Sequence, residues 1–432
     1  MSATNLRDDA KPDRRPRKIA VTPRYSVIGG GIVGVCTALA LMEKGFSTRL
    51  FEARSPGAGA SSGNAGIIAI ASIAPTGVPG LARRVPRMLL DPLSPLAIDW
   101  RHFPQLAPWL ISLLRNSSPE RVAQITEARH ALLSRSIAAY DDILNATGTS
   151  DLRRSQPKLT AFESDDGFRT FAAGQSGRLS RGIRVDLISG DEGREIEPAL
   201  GANVKHVARF PDVHFFSDPA AVVRGLVDHF VRLGGVVVND EILGFEGPQS
   251  KPTSLIGKQS NYLCDQVVIA AGPWSGALAK RLGVKLPIEA ERGYHLMLGG
   301  AKGFKHAVNF HERYVGLTPM TNGLRITGMA EFAGLHAKPK MRRLDAVLKN
   351  IRQAVPGIGG SELLRWSGDR PSLPDSLPAI GRTVRAANVL FACGHDHLGM
   401  TMAPITGKLV AQLAAGERPD LNLTPYSPDR FK

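Results

Sequence analysis

The chain has 432 residues, a formal net charge of +15, 43% hydrophobic residues and 45 glycines. That length exceeds what one hydrophobic core usually serves, so two domains are expected, and no apolar run approaches the length that crosses a bilayer. The three cysteines, Cys36, Cys264 and Cys393, stand far apart, which excludes a disulfide framework and gives no metal-ligand spacing.

Part of the positive charge lies in the first 24 residues, with Lys11, Arg14, Arg15, Arg17, Lys18 and Arg24. This polar segment lacks the apolar core of a secretory signal, so residues 1–21 read as a disordered basic tail and the protein as cytoplasmic. Elsewhere Lys and Arg are scattered without interleaved aromatics, which argues against nucleic acid and leaves anionic substrates or an acidic lipid face as partners for the charge.

Residues 25–53 predict a complete strand-turn-helix-strand unit. An apolar run from Tyr25 to Ile28 leads into Gly29, Gly31 and Gly34, then into a helical stretch through Val35, Leu39 and Met42 that Gly45 stops. A second strand, Thr48 to Phe51, closes on Glu52, 23 residues after Gly29. A bare G-x-G-x-x-G is weak evidence, but here the strand, the helix and the acid are all in place. Gly29 makes the tight turn, Gly31 lets a diphosphate approach the backbone, and Gly34 allows close helix–strand packing. The diphosphate then meets free N–H groups at a helix N-terminus, and Glu52 accepts from a ribose. Ile32, Val33, Ala53 and Arg54 complete the predicted cofactor contacts of this unit.

The next segment, Arg54 to Gly66, is turn-rich, and its small residues Ser61, Ser62, Asn64, Ala65 and Gly66 suit close approach to a flat ligand. Residues 75–118 are Pro-rich with apolar helical pieces, and Pro119 to about Asn145 predicts one long amphipathic helix. Asp218-Pro219 opens a helix that Gly234-Gly235 stop, and Val236 to Val238 reads as a buried strand. A fully apolar strand through Val267, Val268 and Ile269 ends in Ala270-Ala271-Gly272-Pro273-Trp274, as a central parallel strand does where its carboxyl end passes a cofactor.

Four stretches resemble the D-amino acid oxidase superfamily of flavoproteins, and within it the bacterial D-amino acid dehydrogenase small-subunit and D-hydroxyproline dehydrogenase type. They are Ile28 to Ala53, Ser61 to Gly66, Ala270 to Ser275 with Arg292-Gly293-Tyr294, and Trp366 to Leu413. The last carries Gly368-Asp369-Arg370-Pro371, Pro374-Asp375-Ser376-Leu377-Pro378-Ala379-Ile380-Gly381 and Gly394-His395-Asp396-His397-Leu398-Gly399-Met400-Thr401.

The resemblance implies an α/β chain with a Rossmann-like FAD-binding domain, assembled from residues 22–75, 180–275 and 365–425, and a sheet-based substrate domain from 76–179 and 276–364. It implies non-covalent FAD, contacted also by Ile242, Ala271, Gly272, Trp274, Gly394, His395, Leu398, Gly399, Met400 and Thr401. The chemistry implied is dehydrogenation of an amino acid, with hydride leaving Cα for the flavin and water hydrolysing the imino acid. Arg370 is the expected clamp on the substrate carboxylate, because a guanidinium offers two parallel donors. Tyr294 and Tyr314 are expected as pocket wall or hydroxyl donors. His395 or His397, or the backbone N–H groups of Gly399, Met400 and Thr401, would stabilise the reduced ring.

Two departures bear on specificity. Gly399-Met400-Thr401 stands where many relatives have Gly-Trp-Thr, and Leu373-Pro374-Asp375-Ser376 stands where Thr-Pro-Asp-Gly is usual, a variant associated with cyclic D-amino acids. Cys393 is not at the position where sarcosine oxidases attach flavin. Three functions remain open: a dehydrogenase passing electrons to a quinone or carrier, with residues 80–115 as its candidate membrane contact; an oxidase of glycine, sarcosine or a D-amino acid using O₂; and a non-catalytic FAD-binding subunit.

Overall fold

The computed structural model describes residues 24–83, 96–301 and 303–431, so the basic tail and part of the Pro-rich segment lie outside it. A six-stranded sheet is ordered Ala379–Arg382, Val389–Cys393, Gln266–Ile269, Tyr25–Ile28, Thr48–Glu52, Val236–Asn239. All its pairings are parallel except the first. Tyr25–Ile28 is buried along its whole length because both faces are covered. Helices Ile32–Glu43, Pro219–Arg232 and Gly399–Ala414 close one face. Helix Ser275–Arg281 and a three-stranded meander close the other.

Val236–Asn239 is an edge strand rather than a buried one, with Val236 52% exposed. Three successive valines fit burial and β-propensity alike, and only the sheet order separates the two. The single helix expected over 119–145 is two, Pro119–Leu133 and Ser136–Thr147, and both pack on the same core as the fingerprint helix.

The second sheet has nine strands and is mixed. Its centre is formed by Glu289–Gly299, Gly323–Phe332 and Ser361–Ser372, with helix Arg343–Ala354 packed on one face through Leu344, Val347 and Ile351. Strands Asp186–Ser189 and His206–Phe210 also belong to this sheet, as does Ser361–Ser372. Sheet membership thus divides the chain differently from the boundaries 180–275 and 365–425 expected for the FAD domain. The pairing of His206–Phe210 with Lys158–Phe162 is a long-range antiparallel ladder that no local pattern encodes.

The helix near the C-terminus spans Gly399–Ala414 and carries Pro404 inside it. Proline lacks the N–H that would bond the carbonyl four residues back, that of Met400. The buried Tyr140 hydroxyl donates to that carbonyl instead. Tyr140→Phe should therefore cost about 1–3 kcal/mol of stability by stranding a buried acceptor, read as a lowered melting temperature with little change in absorbance of bound flavin.

Candidate active site

The fingerprint turn is built by close backbone contacts. Gly29 has φ +109°, and a Cβ there would lie 2.4 Å from the Ala270 carbonyl oxygen. A Cβ on Gly34 would lie 1.9 Å from the Gly29 oxygen, whereas one on Gly31 would meet only Ser61 Oγ, at 3.4 Å. Gly31 caps the helix Ile32–Glu43 without any side-chain hydrogen bond of its own; Ser61 takes the Ile32 N–H, and the following N–H groups of the first turn are left for a diphosphate. Glu52 closes the neighbouring strand: its Oε2 accepts from Gly30 N–H at 2.7 Å and its Oε1 from Arg54 N–H at 3.0 Å. Each oxygen keeps a lone pair for a ribose hydroxyl. A diphosphate and ribose fit this arrangement.

The other expected cofactor residues surround that turn. Ser61 Oγ accepts from Ile32 N–H at 3.0 Å, and the Asn64 side chain shapes the loop by accepting from Gly66 N–H at 2.6 Å. Ala53 and Arg54 are exposed just beyond Glu52, and the Arg54 guanidinium stands 5.9 Å from the ring of Trp274. Ala271 and Gly272 follow the central strand, where a Cβ on Gly272 would meet nothing. Ile242 packs with Ile28 and Phe51 in the core below.

The loop ahead of the C-terminal helix is strained and mostly buried. Gly394 has φ +75° and Asp396 φ +49°. His395 is sunk against Thr406 (Nε2 to Oγ1, 2.9 Å), and burial pushes its pKa down to about 3, so it is a neutral structural group. Thr401 Oγ1 accepts from Ala69 N–H at 3.0 Å, tying the helix start to the Ser61–Gly66 region. Leu398 and Met400 are buried. His397 alone in this loop has an exposed side chain. The surrounding fold and the guanidinium groups of Arg129 and Arg370 nonetheless push it down to about 4, with Glu291 opposing.

Arg370 sits on strand Ser361–Ser372, which runs beside both Gly272–Trp274 and Asp396–Leu398. Its cross-strand neighbour is Glu291, and its Nη1 donates to Glu291 Oε1 at 2.5 Å. The guanidinium lies across Gly293, where a Cβ would come within 2.3 Å of Nη2. The same face carries His295 and Trp366, stacked at 4.9 Å. His295 Nδ1 bonds the Gly63 carbonyl at 2.9 Å, and a Cβ on Gly63 would strike the Trp366 ring at 2.2 Å. The Arg370–Glu291 pair thus occupies the face of the second sheet that meets the glycine-rich loop of the first.

Tyr294, expected in the pocket, points the other way. Strand alternation turns it into the core under helix Arg343–Ala354, where its hydroxyl donates to Glu331 and accepts from Lys340 N–H at 3.0 Å. Tyr314 is 59% exposed and holds φ +53°, a left-handed backbone that a tyrosine rarely adopts. It precedes strand Val315–Met320, whose Met320 reaches the Gly66 loop.

Three polar groups at the site were not singled out from sequence: Glu291, Asp396 and Arg129. Arg129 is 1% exposed and donates to the carbonyls of Ser376 (2.8 Å) and Ser72 (3.0 Å). Asp396 Oδ1 accepts from Leu373 N–H at 3.1 Å, while Oδ2 has no hydrogen-bond partner and lies 3.7 Å from Arg129 Nη1. Burial pushes Asp396 up to about 7; Arg129 opposes, and Glu291 and Asp375 add to the rise. A carboxyl raised in the folded state favours folding most below the ordinary carboxylate range, and that contribution disappears as pH climbs through about 7. Asp396→Asn should therefore flatten the fall in stability between pH ~4 and ~7 and gain at most roughly 4 kcal/mol over wild type at pH ~8, measured by denaturant titration.

A dinucleotide turn facing a sheet that bears an Arg–Glu pair defines a redox flavoprotein built in two layers. The chain belongs to the FAD dependent oxidoreductase (DAO) family, whose model matches residues 24–413. It is accordingly an FAD-dependent oxidoreductase. It is 32% identical over 414 residues to a D-amino-acid oxidase of Bradyrhizobium diazoefficiens, covering 94% of this chain and 98% of that one. A D-amino acid dehydrogenase of Rhizobium rhizogenes is 25% identical, with 94% and 100% covered. The glycine oxidase of Geobacillus kaustophilus shares the fold, with a TM-score of 0.75 at 20% identity, covering 95% of this chain and all of that one. The L-proline dehydrogenase of P. horikoshii also shares it, at 0.72 and 22%, with 95% and 98% covered.

Proposed function

We propose that the protein oxidatively deaminates a D-amino acid, with Arg370 as the anchor of the substrate carboxylate. The observation that carries this reading is the place of Arg370: on the strand that adjoins both loops of the cofactor region, across from Gly293, whose lack of a side chain lets the guanidinium lie flat. Bound FAD supplies the acceptor for the hydride that leaves Cα. The chain's own part is to fix the carboxylate, exclude competing poses and orient Cα. His397 is neutral at physiological pH, so it offers a hydrogen bond without adding charge beside the substrate. The N-terminus of helix Gly399–Ala414 would offer backbone N–H donors to the ring of a bound flavin. Tyr314, strained and exposed, suits a pocket-edge role, since such backbone outliers gather at functional sites.

A dissociable cofactor is the better reading. Cys36, Cys264 and Cys393 are all buried, and burial raises their thiols, Cys264 to about 11 and Cys393 to about 12. For the substrate, the Leu373-Pro374-Asp375-Ser376 variant supports a cyclic D-amino acid such as D-proline or D-hydroxyproline.

Delivery of electrons to a quinone or carrier accords with the dehydrogenase relatives. The exposed Trp100, Phe103, Ile111 and Leu114, flanked by Arg101 and Arg115, support contact with the cytoplasmic face of an anionic membrane. No helix among the described residues is long and apolar enough to cross a membrane. An O₂-using oxidase of glycine, sarcosine or another amine is the second reading, favoured by the relative named D-amino-acid oxidase.

The deciding experiment screens the purified yellow protein against D- and L-amino acids and secondary amines with an artificial dye, in air and without it. Reduction of dye by D-amino acids without hydrogen peroxide supports the dehydrogenase. Peroxide release supports the oxidase, and no turnover with flavin retained supports a non-catalytic subunit.

A further inference from the structure

Arg370 does not present an isolated positive charge. Its Nη1 is bonded to Glu291 Oε1 at 2.5 Å, and Ser372 Oγ donates to Glu291 Oε2 at 2.9 Å. Both side chains remain partly open, 27% for Arg370 and 13% for Glu291. Burial alone would raise the Glu291 pKa, but the Arg370 guanidinium and the hydrogen bonds from Arg370 and Ser372 hold the carboxyl below its ordinary value and ionised. A ligand arriving at Arg370 therefore meets a fixed negative charge beside the positive one. A simple carboxylate gains one attraction and suffers one repulsion there. An amino acid brings an opposite charge for each partner, one bond length from Cα on either side.

We propose that Glu291 is a specificity-determining residue that receives the amino group of the substrate whose carboxylate Arg370 holds, so that the site reads an amino acid as a zwitterion and rejects amine-free acids. This rests on the proposed deaminase reading and deepens it. Register makes it specific: Glu291 and Arg370 are direct partners on neighbouring antiparallel strands and project from the same face as His295 and Trp366, toward the glycine-rich loop. Because the ammonium must shed a proton before its lone pair assists hydride departure, Glu291 also raises the pKa of the bound amine. It thereby sets the acid limb of kcat.

The test uses flavin-loaded wild type and Glu291→Gln, titrated with D-proline, or the best amino acid from the screen, and with its amine-free counterpart, cyclopentanecarboxylate for proline. Anaerobic flavin reduction gives the amino acid affinity, and perturbation of the flavin spectrum gives that of the plain acid. Glu291→Gln should weaken the amino acid about tenfold or more and tighten the plain acid by a similar factor, with the acid limb of kcat moved to lower pH. Glu291→Asp, which keeps the charge, should retain the wild-type order of preference. Movement of both ligands in the same direction, or of neither, overturns the proposal while leaving the deaminase reading intact. Loss of flavin from both variants would overturn it too, by making Glu291 a support of the cofactor site. A wild type that reduces no flavin with any amino acid removes the deaminase reading itself.

Discussion

Gly34→Ala should emerge from purification without flavin and poorly folded, whereas Gly31→Ala should fold normally and still come out pale. The two glycines differ in what a methyl group would meet. At Gly34 it would be driven to 1.9 Å from the Gly29 carbonyl oxygen, and Gly29 has little room to retreat, since a Cβ of its own would fall 2.4 Å from the Ala270 carbonyl oxygen. That conflict is between backbone atoms on both sides, so relaxation must separate the fingerprint helix from the central strand. A destabilisation beyond about 4 kcal/mol is expected. At Gly31 the added methyl meets only Ser61 Oγ at an ordinary distance, so the fold tolerates it, but it occupies the side from which the diphosphate approaches. Flavin absorbance per mole of protein, set beside the thermal melt, separates the outcomes. A yellow Gly31→Ala of normal affinity would place the diphosphate elsewhere.

Arg370→Ala should retain flavin and lose kcat/KM by about 10²–10⁴. The loss exceeds that of a missing hydrogen bond because the substitution strands Glu291, whose negative charge then repels the incoming carboxylate, and breaking one member of such a pair costs about 3–5 kcal/mol. Arg370→Lys keeps the charge yet loses the flat fork across Gly293, so it should recover only part of the activity. Steady-state kinetics on flavin-saturated protein settles it, and a variant within threefold of wild type would rule Arg370 out as the anchor.

The dinucleotide half of the site is legible in sequence because its determinants are local. Gly29, Gly31, Gly34 and Glu52 fall within one strand-turn-helix-strand unit, and strand Tyr25–Ile28 is apolar at all positions but Ser26. The substrate half is not, because it depends on register. Glu291 acquires its meaning only when paired with a residue 79 positions later, and Tyr294 turns away from the site through the same alternation that turns Glu291 toward it. Helix Gly399–Ala414 runs through Pro404, and the hydrogen bond lost there is made good by Tyr140, far away in the chain. In the sequence Asp396 is one more polar loop residue. Only burial beside Arg129 gives it an unusual titration.

The glycine-rich segment Ser61–Gly66 is held from outside its own sheet: His295 grips the Gly63 carbonyl, Trp366 lies over Gly63, and Arg325 donates to the carbonyls of Ser62 and Asn64. Whatever tightens that segment is consequently felt on both sides of the molecule. Riboflavin scarcity would then uncouple the two layers, and refilling with the nucleotide should merge a staggered melt into one sharp transition whose midpoint climbs with ligand concentration.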